Sequence, residues 1–357
     1  MRLILVMAIV LSVSDSAQAQ DYKSNLESMI IGYIKPAFQE FASSTQSLPT
    51  AVETVCLDAN ETAGLEFQQV FSETVHDFGR IHFLRFGPLL DQDRLSRLAF
   101  LPDPRGIGSR QLRKLYANKD KDALNAAGLA KKSVAVQGLT ALELIAFDKT
   151  GEVRLGKSDE NSEFTCDYAL AIAQNIHTIA IALEADWANP DGFKDILLTP
   201  GGNDARFQTS KEAIESVFNA LVTGLIVVRD QDLLPALGTS EEKAKPRRFP
   251  FSRSGNGVIF LSSELQGIEQ SLSSLNLQSL TPQDFMWIFD TLNFEFGNAQ
   301  KILAQLSPPL RNSFGQGDSY KLVSVLAITV KSIRDTVALE LAGALDLAGG
   351  FNALDGD

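Results

Sequence analysis

The sequence predicts an all-α protein made of two packed helical-bundle halves. Apolar residues recur at spacings of three and four along most of the chain, while the strict alternation of half-buried strands is scarce. The most apolar run, VFNALVTGLIVV (217–228), has the length of a buried core helix and is too short to span a bilayer. With 357 residues the chain can bury two cores. A duplicated four-helix-bundle-like unit would fit, although no internal repeat is strong enough to prove one.

Taken in order, MRLILVMAIVLSVSDSAQAQ reads as a secretory signal. Arg2 is its positive start, Leu3 to Val13 its apolar core and Ala17-Gln18-Ala19 a small-x-small cleavage site. Cleavage after Ala19 would deliver a mature chain to a bacterial periplasm. In that oxidising compartment Cys56 and Cys166 are expected to form a disulfide, and since neither lies in a CxxC pair a redox or zinc role is not indicated. From 134 to 147 a helix apolar on nearly every side carries one carboxylate, Glu143, on the face of Val136, Thr140 and Phe147. A carboxylate buried there must find a cation, a metal or strong donors, or keep its proton. Tyr168, Ile172, Ile176, Ile179, Leu183 and Trp187 mark the next helix. The loop 188–208 divides an N-terminal half, 20–198, from a C-terminal half, 199–357. Thr281 before Pro282 and Asp284 reads as an N-cap, and Leu322, Leu326, Val330, Ile333, Val337, Leu341 and Leu345 form a last stripe.

Net charge is −12, which argues against a general nucleic-acid surface. The three histidines, His76, His82 and His177, form no HExxH, and no GxSxG elbow occurs. His177 borders an apolar stripe and reads as a packing residue. Lys243, Lys245, Arg247, Arg248 and Arg253 form a basic loop: a solvated segment, an arm over an anionic ligand, or a docking site for a protein partner. Arg85, Arg105, Arg110 and Arg113 cluster ahead of the Glu143 helix, and one of them is the expected partner of Glu143, because Arg pairs carboxylates bidentately.

Residues 85–106, 135–143, 166–187, 245–255 and 349–357 together resemble the imelysin-like family in order and spacing. The resemblance implies an exported, all-helical protein of two bundle-like halves, from a family first labelled as peptidases and mostly linked to iron acquisition. The family signature is GxHxxE on a buried helix near a cleft between the halves. Here it reads Gly138-Leu139-Thr140-Ala141-Leu142-Glu143, with Thr140 where the His would be, and the usual FWPDP reads Phe100-Leu101-Pro102-Asp103-Pro104. A hydroxyl binds borderline metals weakly, and Thr140 can instead bond back to the carbonyl of Val136. The implied ligand site comprises Gly138, Thr140, Glu143, Arg85, Asp103, Arg105, Arg253 and Ser254. Iron or another divalent metal would be held by Glu143, with an imidazole from His82 or His76. The expected role is a periplasmic binding or accessory protein of iron acquisition without catalysis. Its partners would be a metal ion or small anion and an iron-uptake or redox protein. The alternatives are a pure interaction module and, least supported by the residues, a metallopeptidase.

Overall fold

The computed structural model describes residues 21–202, 206–306, 309–314 and 317–348. The expected signal segment 1–19 and the C-terminal run 349–357 lie outside the described residues. The fold is all-α, and among the described residues the only extended pairing is an isolated bridge between Phe147 and Val153.

Helix α1 (Lys23–Met29) runs through a π-helical stretch, Ile30–Ile34, into α2 (Lys35–Gln46). Pro36 follows that wide turn, as expected of a residue that cannot donate the next backbone hydrogen bond. After α3 (Leu48–Leu57) comes α4 (Glu61–His82), capped by Asn60, whose side chain accepts from the Ala63 N–H at 2.9 Å. Its buried stripe is Phe67, Phe71, Val75 and Phe78, and the same stripe ends in His82. Next come α5 (Ile107–Asn118), α6 (Gly138–Ala146) and the long α7 (Ser162–Ala188). The second group is α8 (Ser210–Ile226), α9 (Gly257–Ser274), α10 (Trp287–Gln305) and α11 (Ser319–Asp335). Helix α8 continues into a second π-helical stretch, Val227–Leu233.

Helices α2, α3, α4, α6 and α7 pack together, and α10 packs on α11 with α8 and α9 alongside. The groups meet chiefly where α4 crosses α9. Small residues permit that approach: a Cβ at Gly79 would lie 2.1 Å from Ser263 Oγ, and one at Gly267 would lie 2.8 Å from the Arg80 carbonyl. The first described residues also reach the second group, with Tyr22 Oη donating to the Leu345 carbonyl and Asn25 Nδ2 to that of Leu275. Buried apolar side chains of both groups form one continuous cluster.

Cys56 of α3 and Cys166 of α7 are joined as a disulfide. His177 packs within the first group, 3.0 Å from Thr45 Oγ1. No described helix is long and apolar enough to cross a membrane.

Two local expectations are corrected. The helix expected over 134–147 is a 3₁₀ turn, Val134–Val136, followed by α6 from Gly138, because Gln137 is extended and Gly138 has φ +72°. Thr281 does not cap: its hydroxyl donates back to the Leu277 carbonyl at 2.9 Å, and α10 starts at Trp287 after a 3₁₀ turn.

Candidate functional site: a polar cleft between the helical groups

The site begins at the break that opens α6. A Cβ on Gly138 would lie 2.2 Å from the Leu98 carbonyl oxygen and 2.3 Å from that of Arg97. Glycine is required there by both space and backbone conformation. Thr140 follows in the first turn, and its Oγ1 accepts from the Phe100 N–H at 3.1 Å. The expected back-bond to Val136 does not form. That carbonyl precedes the helix and takes the Tyr168 hydroxyl instead. Asp103 is used similarly, accepting from the N–H groups of Ile107 at 2.7 Å and Gly108 at 2.8 Å, so it fixes the start of α5. Thr140 and Asp103 thus shape the Phe100–Pro104 loop.

Glu143 lies one turn deeper and is only 7 % exposed. Its Oε1 accepts twice from Ser254, from the N–H and from Oγ, both at 2.8 Å. Arg253 sits beside it and donates through Nη1 to the Phe147 carbonyl at 3.3 Å. Burial pushes the Glu143 carboxyl up from its ordinary range, while Ser254 and Arg253 pull it part of the way back. The expected partner from the 85–113 cluster is therefore corrected: Glu143 faces the 251–256 turn of the second group. Arg105, Arg110 and Arg113 are exposed and form no ion pair among the described residues.

Arg85 belongs to a second polar cluster, at the crossing of α4 and α9. His82 Nδ1 lies 2.6 Å from Glu264 Oε1, and Arg85 Nη2 lies 3.0 Å from His82 Nε2. A guanidinium can only donate, so Nε2 is the acceptor and the imidazole proton sits on Nδ1, directed at Glu264. Burial, with Arg85 adding to it, holds His82 well below its ordinary range. Asp232, at the end of the Val227–Leu233 stretch, completes the group beside Glu264; Asp232 Oδ2 and Glu264 Oε2 are buried and have no other hydrogen-bond partner, so the two carboxyls can satisfy each other only through a proton. Two carboxyls can bond this way only when one keeps a proton. Desolvation pushes Asp232 up to about 8 and Glu264 well above its usual range. Both ring nitrogens of His82 are engaged and a cation sits on one side, so the metal role considered for His82 is not available in this arrangement. His76 lies elsewhere, paired with Asp77 at 2.8 Å and half exposed.

Between the groups opens a cavity of about 630 Å³. The Phe100–Pro104 loop, Thr140 and Glu143 wall one side, and Asp232, the 247–253 segment and Arg311 wall the other. Among the described residues no three His, Cys, Asp or Glu side chains are grouped to hold a metal ion. Around Glu143 the available set is one carboxylate already accepting from Ser254, one hydroxyl already accepting from Phe100, and nearby guanidiniums. That set does not fit a transition metal held directly by protein side chains.

Three participants escaped sequence reading. Glu264 carries the signal that found Glu143, a carboxylate on an apolar face shared with Phe260, Leu261, Leu265 and Ile268. Asp232 follows the apolar run 217–228, where a wide helical turn changes which face it occupies. Arg311 lies in a short helical turn, Leu310–Ser313, with no sequence signal.

Two groups of packed helices, with a buried carboxylate and an arginine-rich cleft at their join, define an all-helical protein. The chain belongs to the imelysin family, a family named as peptidases, whose sequence profile matches residues 34–336. Its fold is similar to that of an imelysin-like protein from Psychrobacter arcticum 273-4, at 18% identity and TM-score 0.77, covering 92% of this chain and 97% of that one. It is also similar to a putative iron-regulated protein A precursor from Parabacteroides distasonis ATCC 8503, at 11% identity and TM-score 0.69, covering 90% and 96% of the two chains. No curated protein sequence matches the chain.

Proposed function

We propose that this protein is a periplasmic binding or accessory component of iron acquisition, acting through the cleft around Glu143 and without catalysis of its own. The observation that carries the reading is the meeting of Glu143, at the family's signature position, with Ser254 of the other helical group. A ligand entering there touches both groups at once. The iron association is supported by family membership and by the similarity to an iron-regulated precursor. Export is supported by the signal-like residues 1–19 and by the disulfide, a bond of oxidising compartments. The peptidase reading has little support in the residues: position 140 is Thr, and Glu143 is already engaged by Ser254 rather than poised over an open metal position.

The test is a deletion strain grown under iron limitation and complemented with wild type or with Glu143→Ala. Rescue by wild type and not by a folded Glu143→Ala protein is expected. Normal growth of the deletion strain, or chelator-sensitive peptide hydrolysis by the pure protein, would overturn the reading. A second reading rests on the exposure of Lys245, Arg247 and Arg248, which suits docking of an acidic periplasmic protein.

A further inference from the structure

We propose that the cleft binds a small oxyanion carrying two or more negative charges, a polycarboxylate or a phosphate, on Arg247, Arg253 and Arg311. Four acids line the cavity: Asp103, Glu143, Asp230 and Asp232. Each is already engaged. Asp103 accepts from two backbone N–H groups and Glu143 from Ser254. Asp230 pairs with Arg229, and Asp232 is buried beside Glu264 with its carboxyl pushed up by desolvation.

The cations are in the opposite condition. Arg247, Arg253 and Arg311 line the same cavity and enter no ion pair among the described residues. Arg253 spends one N–H on the Phe147 carbonyl, out of five available donors. Arg311 is half-buried, and its Nη1 is shielded from solvent without a hydrogen-bond partner. Burial opposes the charge of Arg311 most, Arg253 and Arg247 add to that, and Glu143 and Asp148 offset part of it without forming an ion pair. Lys149 stands at the same wall, exposed.

Gathering uncompensated guanidiniums costs stability through like-charge repulsion and desolvation. A ligand with several anionic oxygens removes that cost, because guanidinium forks match carboxylate and phosphate oxygens bidentately. The cavity, at about 630 Å³, has room for a polycarboxylate. Iron delivered to such a site would come as a chelate of the anion, with the arginines gripping the chelator; this extension rests on the iron reading above, whereas anion binding itself does not.

The test is calorimetric titration of the mature protein with citrate and, separately, with inorganic phosphate. Wild type, Arg311→Gln, Arg253→Gln and a remote control, Lys301→Gln, are compared, with thermal melts to confirm folding. Saturable binding of at least one anion is expected, citrate more tightly, weakened by about tenfold or more in either arginine variant, which is about 1.4 kcal/mol. Binding should also fall with added salt and persist in Lys301→Gln. Phosphate preferred over citrate would keep the site and identify the phosphoryl source. No saturable binding of either anion by wild type, or binding equally strong in both arginine variants, overturns the proposal. A deletion strain without an iron phenotype would remove the iron reading and leave the titration result intact.

Discussion

Replacing Asp232 by Asn should flatten the pH dependence of stability on the alkaline side of neutrality. Asp232 is 2 % exposed, buried beside Glu264, and pushed up to about 8 from an ordinary 3.8. Its native carboxyl therefore holds a proton that the unfolded chain has released. A raised folded value stabilises fully below the unfolded value, and the contribution fades as pH rises toward the folded value. For Asp232 the window runs from 3.8 to about 8. Within it, stability falls by about 1.4 kcal/mol per pH unit for this one proton. His82 acts in the opposite sense at lower pH: its folded value is depressed, so its contribution is complete above the unfolded value near 6.5 and is lost as pH falls. The clean interval is thus pH 6.5 to 8, where wild type should lose about 2 kcal/mol more than Asp232→Asn. Glu264 adds slope of the same sign, and because Asp232 is one of the groups that raise it, Asp232→Asn weakens that slope too; a further Glu264→Gln change should remove more of it. Thermal melts at several pH values across that interval measure it. The two Tm curves should diverge by a few degrees at the alkaline end. Parallel curves would refute the shared-proton account of the cluster.

Other outcomes follow from the geometry. Glu143→Ala leaves the Ser254 N–H without its acceptor, while the hydroxyl keeps the Phe251 carbonyl at 3.2 Å, and should cost about 1–3 kcal/mol, with Glu143→Gln closer to wild type; denaturant titration measures both. Gly138→Ala combines a positive φ with carbonyl oxygens 2.2–2.3 Å from the new Cβ, and should lower stability more than Glu143→Ala does in the same titration. Replacing both Cys56 and Cys166 by Ser opens a link across a sequence separation of 110 residues and should cost about 4–5 kcal/mol in the chain-entropy picture, read as a lower melting temperature.

What the sequence disclosed follows from which interactions leave a periodic trace. Helical stripes such as Phe67, Phe71, Val75 and Phe78 are legible because side chains repeat on one face every three or four residues. The π-helical stretches at Ile30–Ile34 and Val227–Leu233 are not, because a widened turn shifts the phase without changing composition. Glu143 was conspicuous as a carboxylate amid apolar residues. Its hydrogen-bond donors were not, since a backbone N–H exists at every non-proline residue and only the fold selects Ser254. Proximity in sequence points to the arginines between 85 and 113 as partners of Glu143, yet Arg85 turns to His82 and the cleft is lined by Arg247, Arg253 and Arg311. The Gly138 break resembled ordinary helix interior until its φ and its contact with the Leu98 carbonyl were known.

The central claim is that the cleft joining the two helical groups is a ligand-binding site organised by Glu143 and Ser254. Native mass spectrometry of the protein purified from its own host, wild type beside Glu143→Ala, tests this most directly. The account predicts a small bound species on wild type that is missing from the folded variant. The same bound species on both proteins, or none on either, would contradict it.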